Sequence, residues 1–126
     1  MADDELEILN AIYAEDLIGP DHMGWYSIRI GGPYDINGME QDISFYFQHE
    51  PGCSLPNIRF TGLLEEQESK LKDYINSDLL IPDEPSLFNV ISWLMTDMQL
   101  YLELKNYVKV RIIFEIYKEY NYLMNY

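Results

Sequence analysis

Hydrophobic periodicity along this chain changes from helical to strand-like and back, and this order limits the fold more than any single motif. In the first segment, Leu6, Leu9 and Tyr13 are spaced at i, i+3 and i+7, as on one face of a helix. Residues 25–30 and 43–48 then alternate between apolar and polar side chains, which indicates strands with one buried face. Helical spacing returns in the second half, so the order predicts an α+β fold.

Two turn signals divide the strand-like region. Asn37-Gly38 is the stronger one, because a type I′ hairpin turn needs positive φ at both central residues. Gly31-Gly32-Pro33 is predicted to turn the chain a few residues earlier. With one more short strand at residues 58–60, the region predicts an antiparallel meander of about four strands.

Two helices are predicted after a loop that is bounded by Pro51 and Pro56. The first runs from Leu64 to Ile75 and carries many charges. The second runs from Ser86 to Leu104 and is expected to be the central core helix, through one stripe of side chains: Phe88, Ile91, Met95, Met98 and Leu102. Both helices should pack on one face of the sheet.

The remaining residues, 105–126, fit two patterns. Apolar side chains recur every fourth residue, as in a helix, and also alternate from Val108 to Ile116, as in a strand. No Gly or Pro lies between Ser86 and Tyr126, which favours the helix. We therefore predict one domain over residues 1–104 and a helical C-terminal extension over residues 105–126.

The charge of the chain bears on its partners and its compartment. A net charge of −14 repels phosphate groups, so we expect neither nucleic acid nor an anionic membrane as a partner, and a basic protein surface as the favoured one. The single cysteine, Cys53, cannot form an internal disulfide, and the sequence shows no signal peptide and no apolar run that could span a membrane. The expected location is the cytoplasm, with the nucleus as the alternative.

Cys53 is the obvious candidate for a catalytic nucleophile, with His49 four residues away as a helper. The acidic residues around it disfavour a thiolate, which argues against this role. A metal site built from His49, Glu50 and Cys53 lacks the four ligands that structural zinc usually takes. The sequence therefore predicts no catalytic residue, no metal and no cofactor.

Two groups of residues are candidates for binding a partner. The first group consists of acidic residues that could dock onto a basic surface or could be ordinary solvated charges: Asp4, Glu5, Glu7, Glu65 and Glu66. The second is the apolar stripe of the extension: Val108, Ile112, Ile116 and Tyr120. This stripe could bind another protein, fold back onto its own domain, or pair with a second copy to give a homodimer.

Several segments, taken in order, resemble the RWD domain, a ubiquitin-conjugating-like fold without the catalytic cysteine. The opening segment has the acid-acid-x-Leu and Ala-Ile-Tyr-x-x-Asp patterns of the family at residues 3–6 and 11–16. The family's Tyr-Pro-x-x-x-Pro loop corresponds to residues 50–56, where Tyr is absent and one more residue separates Pro51 from Pro56. The following segments match the second half of the family: residues 55–60, 63–75, 86–88 and 93–94.

Within the family, the chain looks most like the N-terminal domain of RING-between-RING ubiquitin ligases. The resemblance implies a non-catalytic protein–protein interaction module that acts as an adaptor in ubiquitin-ligase or translation-stress signalling. Two other classes stay open: an enzyme of the ubiquitin-conjugating type that uses Cys53, and a self-associating structural protein.

Overall fold

An antiparallel sheet with helices on one face forms the centre of the fold. The computed structural model describes residues 3–108 and 110–124, with side chains for 4–108 and 116–124. The elements in chain order are α1 (Asp3–Tyr13), β1 (Tyr26–Ile36), β2 (Met39–Gln48), β3 (Asn57–Thr61), α2 (Glu65–Tyr74), a π-helical turn (Ile75–Leu79), α3 (Leu87–Thr96), α4 (Met98–Tyr101), β4 (Lys105–Asn106) and α5 (Val110–Met124). The predicted α+β class is confirmed. None of the described helices is long and apolar enough to cross a membrane.

The sheet has the strand order β3-β2-β1-β4, and every neighbouring pair is antiparallel. The hairpin between β1 and β2 turns at Asn37 and Gly38, whose φ angles are 53° and 86°. Both angles are positive, as the type I′ turn requires, and the Asp35 carboxylate accepts a hydrogen bond of 2.7 Å from the Gly38 amide. The predicted hairpin is therefore confirmed.

The predicted turn at Gly31-Gly32-Pro33 is wrong. Strand β1 continues through these residues without a chain reversal, but its pairing with β2 shifts register between Arg29 and Gly31 and between Gly31 and Tyr34. Gly32 has a φ of 126° and lies so close to β2 that an added Cβ would be 2.5 Å from the Asp42 carboxylate. Because β1 pairs with β2 both before and after Gly31-Gly32-Pro33, these residues form a bulge within the strand and not a turn.

The fourth strand lies after the helices and not before them. Residues 105–106 pair with Tyr34 and Asp35 of β1, one residue beyond the predicted end of the domain. The Gln99 side-chain amide helps to hold this segment through bonds of 3.2 Å to the Leu104 carbonyl and 3.2 Å to the Asn106 side chain. The predicted meander thus contains three strands, and the helix of the extension begins only at Val110.

The core lies between the inner face of the sheet and the helices. Alternate residues of β2, namely Ile43, Phe45 and Phe47, are fully buried, as the alternation predicts. Leu9 of α1 and Leu71 of α2 reach the same core from the helical side. The opposite face of the sheet is polar and carries an exposed ion pair of 3.0 Å between Arg29 and Asp42.

The predicted stripe of the apolar helix is partly wrong. Phe88 and Met95 are 39% and 40% exposed, while the buried side chains are Leu87, Val90, Ile91, Leu94 and Met98. Both sets follow i, i+3 and i+4 spacing, and only packing against α1 and the sheet distinguishes them. The single predicted helix is also divided, since α3 ends at Thr96 and α4 begins at Met98.

Replacing Ile91 by Ala should lower the free energy of unfolding by about 2–5 kcal/mol, because it opens a cavity in a fully packed core. Met95→Ala, one turn later on the same helix, should cost about 1 kcal/mol or less, because that side chain is already 40% exposed. Urea unfolding of the two variants measures the difference. Equal losses would contradict this assignment of the buried face.

Candidate functional site: an acidic cleft and an apolar helix

Glu5 takes a position that its place in an acidic run does not predict. Its side chain is only 7% exposed, and its Oε1 accepts a hydrogen bond of 2.7 Å from the backbone amide of Leu87. Glu5 is therefore not a solvated charge on an exposed acidic face, and its role in docking a basic partner stays a prediction. The two partners are 82 residues apart in the chain, so no local pattern could indicate their contact.

The carboxylate of Glu5 caps helix α3. The first amides of a helix lack partners within the helix, and the positive end of the helix dipole favours a negative charge there. Ser86 stands at the capping position, but its hydroxyl accepts from the Ile81 amide at 3.3 Å and donates to the Glu84 carbonyl at 3.5 Å. Glu5 thus supplies from α1 the acceptor that Ser86 does not.

Glu5 also lines a cleft with a volume of about 570 Å³. One wall is the loop after β2, and the other is the segment that leads into α3. A hydrogen bond of 3.1 Å from the Asp83 amide to the Ser54 carbonyl ties the two walls together. The lining residues are Glu5, His49, Gly52, Cys53, Ser54, Pro56, Asp83, Glu84, Pro85, Ser86 and Leu87. Three of them are carboxylates, which makes the cleft acidic.

The residues of the predicted loop lie at this cleft. Pro56 lines it, whereas Pro51 is exposed on the preceding turn. Cys53 is exposed, and its thiol donates to the Glu50 carboxylate at 3.7 Å. His49 lines the same cleft but makes no hydrogen bond to Cys53, so the described side chains do not pair the thiol with a histidine base. Within residues 3–108 and 110–124, no group of three or more His, Cys, Asp or Glu side chains could hold a metal ion.

The other acidic candidates are exposed. Asp4 and Glu7 lie on the solvent side of α1, while Glu65 and Glu66 lie in the first turn of α2. Acidic residues in the first turn stabilise a helix through its dipole. This effect explains the presence of Glu65 and Glu66 at the start of α2, and no binding partner is needed to explain it. These four carboxylates are not among the residues of the acidic cleft.

Helix α5 presents an uncovered apolar face. Val108, just before the helix, is 50% exposed. Two of the predicted side chains on the helix, Ile116 and Tyr120, are 61% and 60% exposed, and Ile112 lies outside the side chains that the structure describes. At 100° per residue, three more exposed side chains fall on the same side of the helix: Tyr117 at 62%, Leu123 at 72% and Met124 at 68%. We refer to Ile116, Tyr117, Tyr120, Leu123 and Met124 as the α5 apolar face.

Two displaced pKa values belong to the fold and not to the cleft. Burial raises the pKa of Tyr13, whose ring packs against Phe88 with 6.3 Å between ring centroids. The backbone amide of Trp25, at 2.9 Å, and that of Met23, at 2.8 Å, lower the pKa of Asp21. The Asp21 carboxylate thereby stabilises the turn that leads into β1.

Comparison with protein-family models, with curated proteins and with solved structures finds no match for this chain. The resemblance to the RWD domain therefore rests on the sequence segments alone. Function has to be argued from the chemistry of the surfaces, because a fold class hosts many functions.

Glu5→Ala should lower the free energy of unfolding by about 1–3 kcal/mol, because the buried amide of Leu87 loses its acceptor. Glu5→Gln keeps an oxygen at the same place and should lose less. Asp4→Ala changes an exposed acid one residue away and serves as the matched control. Unfolding in urea gives all three values, and a Glu5→Ala variant as stable as Asp4→Ala would contradict the capping role.

Proposed function

We propose that this chain is a non-catalytic protein-binding module and that the α5 apolar face is its main contact surface. The observation that carries the proposal is the exposure of five apolar and tyrosine side chains, between 60% and 72%, on one side of one helix. Contiguous apolar surface of this kind is typical of interaction sites, and tyrosine is enriched at interfaces. A helix that offers one apolar face fits the groove of a partner protein.

The negative charge of this chain indicates which charges the partner should carry around its groove. Residues 1–100 contain 19 acidic and four basic residues, which gives them a net charge of −15. A partner that binds α5 approaches this negative body. The partner groove should therefore be apolar at its centre and carry Lys or Arg at its border, since such charges accelerate association and exclude acidic competitors.

The pathway is a further part of the proposal. An adaptor role in ubiquitin-ligase or translation-stress signalling is supported by the RWD-like segments, and the charge and the α5 apolar face are compatible with it. Self-association through α5 is the alternative occupant of the same face. Enzymatic ubiquitin transfer through Cys53 is disfavoured because His49, the nearby candidate base, is not hydrogen-bonded to the thiol.

Ile116→Asp combined with Tyr120→Asp should weaken partner binding at least tenfold, because each buried side chain of this size contributes about 1.5–3 kcal/mol. Glu119→Gln changes an exposed residue at the edge of the α5 apolar face and should weaken binding far less than the double substitution, because an exposed ion pair contributes about 1 kcal/mol or less. The tagged chain and both variants are used to capture proteins from lysate at two salt concentrations. Apolar contact survives the higher salt, whereas contact through charges alone does not.

Sedimentation velocity of the free chain shows whether the α5 apolar face binds a second copy of this chain or is free to bind another protein. A monomer whose captured partner is lost with the double Asp variant supports the proposal. A concentration-dependent dimer that the same substitutions dissociate would replace it with self-association. Capture that is unchanged by the substitutions would contradict the role of α5.

Incubation with ubiquitin, activating enzyme and ATP should give no adduct that is reducible and depends on Cys53, because no histidine base is hydrogen-bonded to the thiol to activate it. Cys53→Ser is the control, and mass spectrometry under non-reducing conditions is the measurement. A stoichiometric adduct on the original chain that is absent from Cys53→Ser would overturn the non-enzymatic proposal.

A further inference from the structure

We infer that a groove at the start of β1 binds a proline-rich segment of a partner protein, in the polyproline II conformation and with a basic residue beside the prolines. The groove has a volume of about 330 Å³, and its lining includes Ile18, Pro20, Asp21, Trp25, Ser27 and Tyr46. It shares no lining residue with the acidic cleft and contains no residue of the α5 apolar face. The inference therefore goes beyond the proposed function and does not depend on it.

Two aromatic side chains line the groove where a proline ring could pack. Tyr46 alternates along β2 with the buried Phe45 and Phe47, so it belongs to the outer face of the sheet. Trp25 comes just before β1, and the Arg59 guanidinium lies 5.8 Å from the centre of its ring, a cation–π contact that restricts movement of the indole. Proline-rich segments bind in grooves lined by aromatic rings, because their conformation is set before binding and little entropy is lost.

The hydrogen-bonding groups that are free on these two rings match a segment rich in proline. Neither Trp25 Nε1 nor the Tyr46 hydroxyl has a hydrogen-bond partner among the described residues. Both residues are half-buried, and no unpartnered side-chain nitrogen or oxygen in that part of the chain is sealed from solvent, so a ligand can reach both groups. A proline segment offers backbone carbonyls and almost no N–H groups, and the indole N–H and the phenol O–H can donate to those carbonyls.

The backbone around the groove disfavours the addition of a β-strand. The amides of Ile18 and Ser27 each donate to the carbonyl of the other at 2.8 Å, and the Asp21 amide donates to the Trp25 carbonyl at 3.0 Å. An extended peptide that paired through its backbone would find these groups already bonded. A polyproline II segment needs no such pairing, because it forms no backbone ladder and can bond through its carbonyls alone.

Asp21 favours a basic residue beside the prolines. Its Oδ1 accepts hydrogen bonds from the amides of Met23 at 2.8 Å and Trp25 at 2.9 Å, which hold the carboxylate at the groove. Arg59 contacts the indole but does not line the groove, and no Lys or Arg is among the described residues that do. Residues 1–100 carry a net charge of −15. A Lys or Arg next to the prolines is therefore attracted, whereas an acidic residue is repelled.

The test is an NMR titration of the full chain, labelled with ¹⁵N, with three peptides. The probe is acetyl-Arg-Pro-Pro-Pro-Pro-Arg-amide. One comparison peptide has alanine in place of every proline, and the other has glutamate in place of both arginines. We expect the probe to shift the indole N–H signal of Trp25 in a saturable manner and to leave the signal of Trp93, which lies outside the groove, unchanged. Both comparison peptides should bind about fivefold more weakly or worse, the first because it is less preorganised and the second because it is repelled.

Trp25→Phe and Tyr46→Phe each keep an aromatic ring and remove one donor, so each should weaken binding of the probe about fivefold. Asp21→Asn keeps the acceptor for the two backbone amides and removes the charge, so it should reduce the preference for the arginine peptide over the glutamate peptide. Trp93→Phe makes the same exchange outside the groove and is the matched control, with unchanged affinity expected. The backbone amide signal of Ser27 reports the affinity of every variant, and the dispersion of the amide signals shows that each variant is folded.

Three results would overturn the inference: equal binding of the alanine peptide, no saturable shift of the Trp25 signal with the probe, or unchanged affinity in both Trp25→Phe and Tyr46→Phe. A glutamate peptide that binds as tightly as the probe would overturn the assignment of a basic neighbour. Ile116→Asp should leave peptide binding intact, because that residue lies on α5 and not in the groove. Peptide binding that persists when partner capture fails would remove the proposed function alone, and the opposite pair of results would remove this inference alone.

Discussion

The hydrogen bond between the Glu5 carboxylate and the Leu87 amide is the contact on which the arrangement of this molecule depends. It joins the first helix to the third across 82 residues of chain, and it supplies the cap that Ser86 leaves open. The same carboxylate forms part of the acidic cleft. One interaction thus joins α1 to the start of α3 and places a buried negative charge in the wall of the cleft.

The two surfaces of the chain have different chemistry. The cleft is acidic, small and built from residues of three separate segments, whereas the α5 apolar face comes from one continuous helix. The partner proposed for α5, with an apolar groove and basic residues at its border, complements the apolar face and the negative charge of the chain. Burial of α5 would supply most of the affinity, and charge would select the partner and speed its arrival.

The sequence predicts those features that arise from local rules. The hairpin at Asn37-Gly38 follows from backbone sterics, and the buried alternation of β2 follows from its period of two. Strand β4 has only two residues, which is too short for an alternating pattern to be recognised in the sequence. The bulge at Gly31-Gly32-Pro33 consists of residue types that are equally common in turns. The buried state of Glu5 depends on a distant helix end, so an acidic run could only suggest an exposed charge. The sequence places Cys53 four residues from His49, whereas Asp83 and Glu84 join them only through the fold.

Site-specific photo-crosslinking tests the central claim, that the α5 apolar face contacts another protein, most directly. A benzoylphenylalanine placed at Tyr120 reports what covers the face, and one placed at Glu119 reports on a neighbouring exposed position outside it. We expect an intermolecular crosslink to a distinct protein from position 120 and none from position 119. Crosslinks from position 120 to residues of the chain's own core domain would contradict it, because the helix would then fold back and leave no free apolar face.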